Sequence, residues 1–93
     1  MHDMPQVVAR NLRRLRQEMG ISQEELAHRA DIDRTYVSAL ERAKYNPTVG
    51  MIGRLAEALG VLPARLLQLP SERPRAGARA AGRQRSRVPP AGR

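Results

Sequence analysis

Residues 22–42 decide the fold of this chain, and they read SQEELAHRADIDRTYVSALER. Ser22 followed by Glu25 matches a capping box, which predicts a helix that starts at Gln23. Asp33 is a favourable N-cap for a second helix, running from residue 34 to about residue 42. The stretch therefore predicts two short helices joined by a tight turn, which is the layout of a helix-turn-helix.

The second of these helices has an apolar inner face and a polar outer face. With Val37 and Leu40 facing inward, helical geometry leaves five residues largely outward. These are Arg34, Thr35, Tyr36, Ser38 and Ala39. Periodicity alone also fits an ordinary helical hairpin with a solvated polar face.

Apolar spacing elsewhere predicts three further helices. The first spans Val8 to Met19 and ends before Gly20, after a flexible N-terminus over residues 1–7. Thr48 is a suitable N-cap for a fourth helix that closes at Gly60. Pro63 suits the first turn of a short fifth helix over residues 64–69. We expect an all-α, five-helix domain over residues 8–69.

The region from Val8 to Leu69 resembles the Cro/C1-type (XRE) helix-turn-helix family of phage repressors and bacterial regulators. The matching strings, in family order, are NLRRLR at 11–16, GISQEELA at 20–27, DRTYVS at 33–38, LER at 40–42, NPT at 46–48 and LAEALGV at 55–61. The string at 33–38 is also similar to restriction–modification controller proteins. The resemblance implies sequence-specific binding of a double-stranded DNA operator by a transcriptional regulator, with the helix at 34–42 in the major groove.

The outward residues of that helix are the candidates for reading bases. Arg34, at its start, is suited to a bidentate contact with guanine O6 and N7. Thr35 has two candidate targets, a thymine methyl group or a phosphate. Tyr36 contacts DNA or packs its ring on the helix hairpin. Ser38 and Ala39 are short enough for close contacts only.

Other residues are assigned by the resemblance to backbone contact or to structure. Gln23 anchors the DNA backbone in the similar proteins, and a helix start favours a phosphate. Arg42, Lys44 and Asn46 are further phosphate candidates, for which simple solvation is an alternative. Arg16 and Glu41 occupy the positions of an ion pair that links the first helix to the end of the third.

Two residues depart from the family pattern. Asp31 stands in the turn where the family usually has glycine, and Ala43 stands where glycine often follows the reading helix. A left-handed conformation at Ala43 would be strained by about 1 kcal/mol. We therefore expect the loop over residues 43–47 to follow a different path.

Composition excludes several classes of protein. The 93 residues contain no cysteine, so disulfides and thiolate metal sites are absent. No apolar run is long enough to span a membrane, and the N-terminus does not resemble a secretory signal. His2 and His28 belong to no metal-spaced cluster, and no glycine-rich loop has the P-loop form. We expect no enzyme activity, cofactor or metal, and a cytoplasmic protein of a bacterium or phage.

The net charge of +8 lies mostly in the C-terminal segment. Residues 1–69 hold 10 Lys or Arg against 8 acids, whereas residues 70–93 hold 7 Arg against one Glu. This segment is rich in Pro, Gly, Ala and Arg, and we expect it to be disordered. It has three interpretations: an arm that binds phosphates, a segment that binds RNA or a partner, or an end shaped by GC-rich codons.

We expect a homodimer on a two-part operator, which places two reading helices about 34 Å apart on one DNA face. The fifth helix offers Leu62, Leu66 and Leu67 as an apolar dimer patch, unless these leucines only close the monomer core. Two rival functions remain open. One is an antitoxin that represses its own operon and binds a toxin, and the other is a protein or RNA interaction module that no longer reads DNA. RNA polymerase is a further candidate partner.

Overall fold

The computed structural model describes residues 2–70, and helices are the only regular secondary structure in that range. Four α-helices span α1 (Met4–Met19), α2 (Gln23–Ala30), α3 (Arg34–Glu41) and α4 (Val49–Leu59). A single-turn 3₁₀ helix follows at Pro63–Leu66. The all-α class is confirmed, with four α-helices and one 3₁₀ turn in place of five α-helices. The C-terminal segment from residue 71 onward lies outside the described residues.

Helix α1 begins earlier than its apolar spacing indicated. Asp3 caps it by accepting a hydrogen bond from the backbone N–H of Gln6 at 3.4 Å, and Pro5 occupies its first turn. Val7 is already buried against the rest of the molecule. The expectation of a flexible N-terminus is therefore wrong for residues 4–7, because the cap and the proline extend the helix by one turn.

The helix-turn-helix forms at the predicted residues. The Ser22 hydroxyl accepts a hydrogen bond from the N–H of Glu25 at 3.0 Å, and the Asp33 carboxylate accepts one from the N–H of Thr35 at 2.8 Å. Between the helices, Asp31 adopts the left-handed conformation with φ 59°. Asp tolerates this region better than most non-glycine residues. The caps therefore determine where α2 and α3 begin.

The segment after α4 does not continue as an α-helix. Asn11 of α1 is buried, and its Nδ2 donates to the backbone carbonyls of Leu66 and Gln68, each at 2.9 Å. These two carbonyls are thereby bound to α1, and Leu69 precedes a proline, which disfavours the helical conformation. In place of the predicted fifth α-helix over residues 64–69, the structure has only the 3₁₀ turn at Pro63–Leu66.

The core lies where the four α-helices meet, and it is aliphatic. Its fully buried members are Leu12, Leu26, Val37, Leu40, Leu55 and Leu66. The inclusion of Leu66 corrects its assignment to an exposed dimer patch, since its side chain closes the core beneath the 3₁₀ turn. Because α3 buries Val37 and Leu40, its first turn is held rigidly at the surface.

Candidate nucleic-acid interface

The first turn of α3 presents two exposed side chains, Arg34 and Thr35. The Thr35 hydroxyl donates to the carboxylate of Asp33 at 2.6 Å. This bond and the Thr35 N–H lower the pKa of Asp33, with a smaller contribution from the positive charge of Arg34. Asp33 is therefore an ionised cap that fixes the Thr35 rotamer, while the Arg34 guanidinium has no hydrogen-bond partner within residues 2–70.

Further along α3 the outward face is narrower than predicted. Tyr36 is half-buried, and its ring lies 5.7 Å from that of Tyr45 with an interplanar angle of 41°. Ser38 is also half-buried. Ala39 is only 7% exposed, and its carbonyl accepts the N–H of Lys44 at 2.9 Å. The prediction that Ala39 faces outward is wrong.

Arg16 and Glu41 meet as a nearly buried ion pair. Arg16 donates to both carboxylate oxygens of Glu41, from Nε at 2.6 Å and from Nη2 at 3.0 Å, and donates from Nη1 to the Ile21 carbonyl at 2.9 Å. Their side chains are 13% and 2% exposed. Hydrogen bonding to Glu41 raises the pKa of Arg16. The pair thereby links α1 to the last residue of α3.

Gln23, the first residue of α2, belongs to the same network. Its Nε2 donates to Oε1 of Glu41 at 3.0 Å, on the same oxygen that Arg16 Nη2 contacts. The amide nitrogen is thus directed toward protein. The carboxylate of Glu41 thereby joins α1, α2 and α3 at one point.

The loop after α3 carries the remaining candidates for phosphate contact. Arg42, Lys44 and Asn46 are all exposed, and the Nε of Arg42 donates weakly to the Ser38 carbonyl at 3.4 Å. Ala43 itself adopts the left-handed conformation, with φ 59°. The expected change in the path of the loop does not occur at residue 43, because Ala43 adopts the left-handed conformation despite a strain that glycine would not have.

One residue that positions the motif was missed by the sequence reasoning. Arg54 of α4 donates from Nη2 to the backbone carbonyls of Ala30 at 2.9 Å and of Asp31 at 2.8 Å. These carbonyls lie at the C-terminal end of α2, which has no further helical donors and attracts cations. No local sequence pattern predicts this contact, because Arg54 is separated from Asp31 by 23 positions and from Ala30 by 24.

The comparisons with known proteins agree with this geometry. The sequence profile of the helix-turn-helix family HTH_3 matches residues 12–66. The chain belongs to this helix-turn-helix family. As a member it is a sequence-specific DNA-binding regulator, which confirms the function predicted from residues 22–42.

Two curated relatives of this family member are transcription factors by name. A hypothetical transcription factor of Neisseria meningitidis is 48% identical over 71 residues, which cover 76% of this chain and 67% of the relative. A HTH-type transcriptional regulator of Sinorhizobium fredii is 43% identical over 72 residues, covering 77% and 94%.

Solved structures show the same likeness. The Neisseria transcription factor NHTF matches with a TM-score of 0.73 at 47% identity, covering 75% of this chain and 80% of that one. The restriction-modification controller protein C.AhdI from Aeromonas hydrophila matches with a TM-score of 0.65 at 39% identity, covering 67% and 94%. The predicted resemblance to controller proteins is thereby confirmed.

Residues 2–70 contain neither a membrane-spanning helix nor a cluster of metal ligands. None of the helices there has both the length and the apolar content needed to cross a bilayer. No group of His, Asp and Glu side chains in that range is arranged to hold a metal ion. His28 is an exposed residue of α2.

Proposed function

We propose that this regulator reads a two-part operator as a homodimer, with α3 of each copy in the major groove. The observation that carries the proposal is the first turn of α3, where Arg34 and Thr35 are exposed on a helix whose other face is buried. In helix-turn-helix proteins the N-terminal residues of the reading helix contact base edges. The eight residues of α3 span about 12 Å, comparable with the width of the major groove.

Within this proposal, Arg34 selects a base and Thr35 supports it. A guanidinium without a protein partner is free to form two parallel hydrogen bonds to guanine. Thr35 is held by Asp33, so its methyl group has a fixed position suited to a thymine methyl. Tyr36, braced by Tyr45, and the half-buried Ser38 make the neighbouring contacts.

Backbone contacts on both sides of α3 orient the protein on DNA. Gln23 lies at the start of α2, where unpaired N–H groups of the helix favour a phosphate. Because its Nε2 is bound to Glu41, the backbone N–H groups of that turn are the stronger donors here. The exposed loop after α3 carries Arg42, Lys44 and Asn46, which would contact DNA phosphates on the side of α3 opposite Gln23.

An apolar groove is the proposed surface for the second copy. It has a volume of about 360 Å³ and lies between the start of α1, the loop before α4 and the 3₁₀ turn. Met4, Val49 and Leu67 line it and are exposed, Val49 to 89%, and neighbouring Leu62 is 74% exposed. Exposed apolar clusters of this kind mark interaction surfaces. This dimer patch keeps Leu62 and Leu67 from the sequence prediction, and Met4 and Val49 take the place of the buried Leu66.

Relatives support an oligomer on DNA. The controller protein C.Esp1396I, 29% identical with a TM-score of 0.65, was solved as a tetramer in complex with its natural 35 base-pair operator. The Bacillus phage phi105 protein, 33% identical over 54 residues, is named an immunity repressor. A toxin or RNA polymerase as a partner is not part of the proposal.

The test of base reading begins with selection of binding sites from random duplexes, followed by affinity measurements on the selected site. Arg34→Ala should cost about 1–3 kcal/mol there and relax the preference at one base pair in each half-site. Arg65→Ala is the matched control, since Arg65 is an exposed arginine on the 3₁₀ turn. An Arg34→Ala protein with unchanged base preference would remove Arg34 from the reading set.

The dimer is tested separately by sedimentation. Leu62→Asp should convert a dimer into a monomer and weaken binding to the two-part site more than to a single half-site. Met19→Asp is the control, because Met19 is exposed at the far end of α1 and outside the groove. A parent protein that sediments as a monomer on and off DNA would contradict the homodimer.

A further inference from the structure

Two arginines of α1 have no assigned role in reading bases. Arg10 and Arg13 are exposed, lie three residues apart and therefore share one face of the helix. Neither forms a hydrogen bond or an ion pair with its side chain within residues 2–70. By contrast, Arg14, Arg16, Arg29 and Arg54 all contact protein acceptors. Unpaired guanidinium groups are the usual donors to phosphate.

These two side chains line a hollow between α1 and the end of α3. It has a volume of about 380 Å³, and its other lining residues are Gln6, Ala9, Arg14, Gln17 and Glu41. The only acid among them, Glu41, is already bound by Arg16 and Gln23 and is almost inaccessible. Arg14 Nε is buried without an acceptor in the described chain. The hollow is therefore rich in donors and has no free carboxylate, which suits an anion.

The position of the hollow identifies the anion. Glu41 is the last residue of α3, so the hollow lies at the end of α3 opposite the base-reading turn. A helix whose start enters the major groove has its other end at the flanking phosphates, because the groove is about 12 Å wide. Arg42 and Lys44, both exposed, follow Glu41 in the chain.

We propose that Arg10 and Arg13 bind the DNA phosphate backbone next to the end of α3, outside the contacts of the motif itself. This inference rests on the proposed function, since it places α3 in the major groove. The two arginines would add affinity without base preference, because phosphate contacts carry no sequence information. They would also widen the footprint of each copy along the duplex.

The experiment compares Arg13→Ala and Arg10→Ala/Arg13→Ala with the parent and with Arg65→Ala. Alanine keeps the helical propensity of α1, and thermal melting verifies that each variant is folded. Affinity is measured on the selected site and on a random duplex over a salt series. Because both copies of the homodimer lose the contact, the slope of log K against log salt should become shallower by about 1.8 for Arg13→Ala and about 3.6 for the double variant. Both duplexes should lose affinity by similar factors, and Arg65→Ala should leave the slope unchanged.

Three outcomes would overturn the inference and leave the proposed function intact. An unchanged slope in the double variant shows that neither arginine contacts phosphate, and an equal change in Arg65→Ala shows only a general charge effect. A loss confined to the selected site indicates base contact. In a second arm, inorganic phosphate is titrated without DNA. If it stabilises the parent but not the double variant while the DNA slope stays unchanged, the hollow takes a free anion instead. A parent protein that binds the selected site and the random duplex equally well would contradict the proposed function itself.

Discussion

Removing either partner of the Arg16–Glu41 pair should destabilise the fold severely. In Arg16→Ala the Glu41 carboxylate, 2% exposed, keeps only the Gln23 amide as a donor, and the Ile21 carbonyl loses its partner. In Glu41→Ala the Arg16 guanidinium, 13% exposed, is left without its counter-charge. Breaking a buried pair from one side costs about 3–5 kcal/mol, and the partial access of Arg16 favours the lower end.

The expected melting shift follows from the size of the domain. A loss of about 3 kcal/mol in a domain of this length lowers Tm by roughly 12–24 °C. Helical circular dichroism at 222 nm, followed during heating and urea unfolding, measures this change. The double variant Arg16→Met/Glu41→Leu removes both charges, so it should recover to within about 2 kcal/mol of the parent. The matched single variants Arg16→Met and Glu41→Leu, each expected to lose about 3 kcal/mol, would add to about 6 kcal/mol if the residues were independent, so this cycle gives a coupling of about 4 kcal/mol.

Two results would refute this reasoning. Single variants that melt like the parent would show that water solvates the two charges in solution. A double variant as unstable as the sum of the singles would show that packing of the two side chains, and not their charge pairing, supplies the stability. Arg29→Ala serves as the surface control, since its partner Glu25 is exposed and such pairs contribute about 0–1 kcal/mol.

Three further perturbations test other features of the structure. Ala43→Gly should raise the free energy of unfolding by about 1 kcal/mol in urea, because φ 59° costs alanine and not glycine; a loss would mean that the loop is not left-handed in solution. Asp33 has a lowered pKa in the folded state, so its ionised carboxylate adds to the free energy of unfolding above the unfolded pKa near 4, and this gain is lost as pH falls through the lower folded value. Asp33→Ala should therefore flatten the acidic part of the curve of stability against pH, and a variant with the same curve as the parent would contradict this linkage. Arg54→Met should lower Tm by roughly 4–8 °C, on the order of 1 kcal/mol, through loss of the bonds to the C-terminal end of α2, measured against Arg65→Met, and equal melting of both would contradict this role.

The local features of the fold could be predicted because their signals lie within a few residues. Ser22 and Asp33 cap the helices of the motif from adjacent positions, and the spacing of Val37 and Leu40 identifies the buried face of α3. Asp3 and Pro5 also predict the extra turn of α1, as N-cap and first-turn residue, but the apolar spacing there is too weak to indicate a helix. Capping residues were more reliable guides to helix starts than apolar spacing.

Contacts between distant segments could not be predicted in this way. Asn11 reaches the carbonyl of Leu66, 55 residues away, and thereby ties the 3₁₀ turn to α1. Arg54 bonds to the turn from a different helix. Ala39 is buried although helical spacing placed it on the outward face, since its burial depends on tertiary packing. The ion pair of Arg16 and Glu41 was anticipated only through the family resemblance, since nothing in the spacing of the two residues reveals it.

The tyrosine pair makes the reading surface its own optical reporter. The chain has two Tyr and no Trp or Phe, so Tyr36 and Tyr45 supply all of its ultraviolet emission and its aromatic circular dichroism. Their ring centroids lie 5.7 Å apart beside α3, so the signal samples that edge of the molecule. Docking of a duplex can thus be followed on unlabelled protein, and a variant altered elsewhere should leave the spectrum of the free protein untouched.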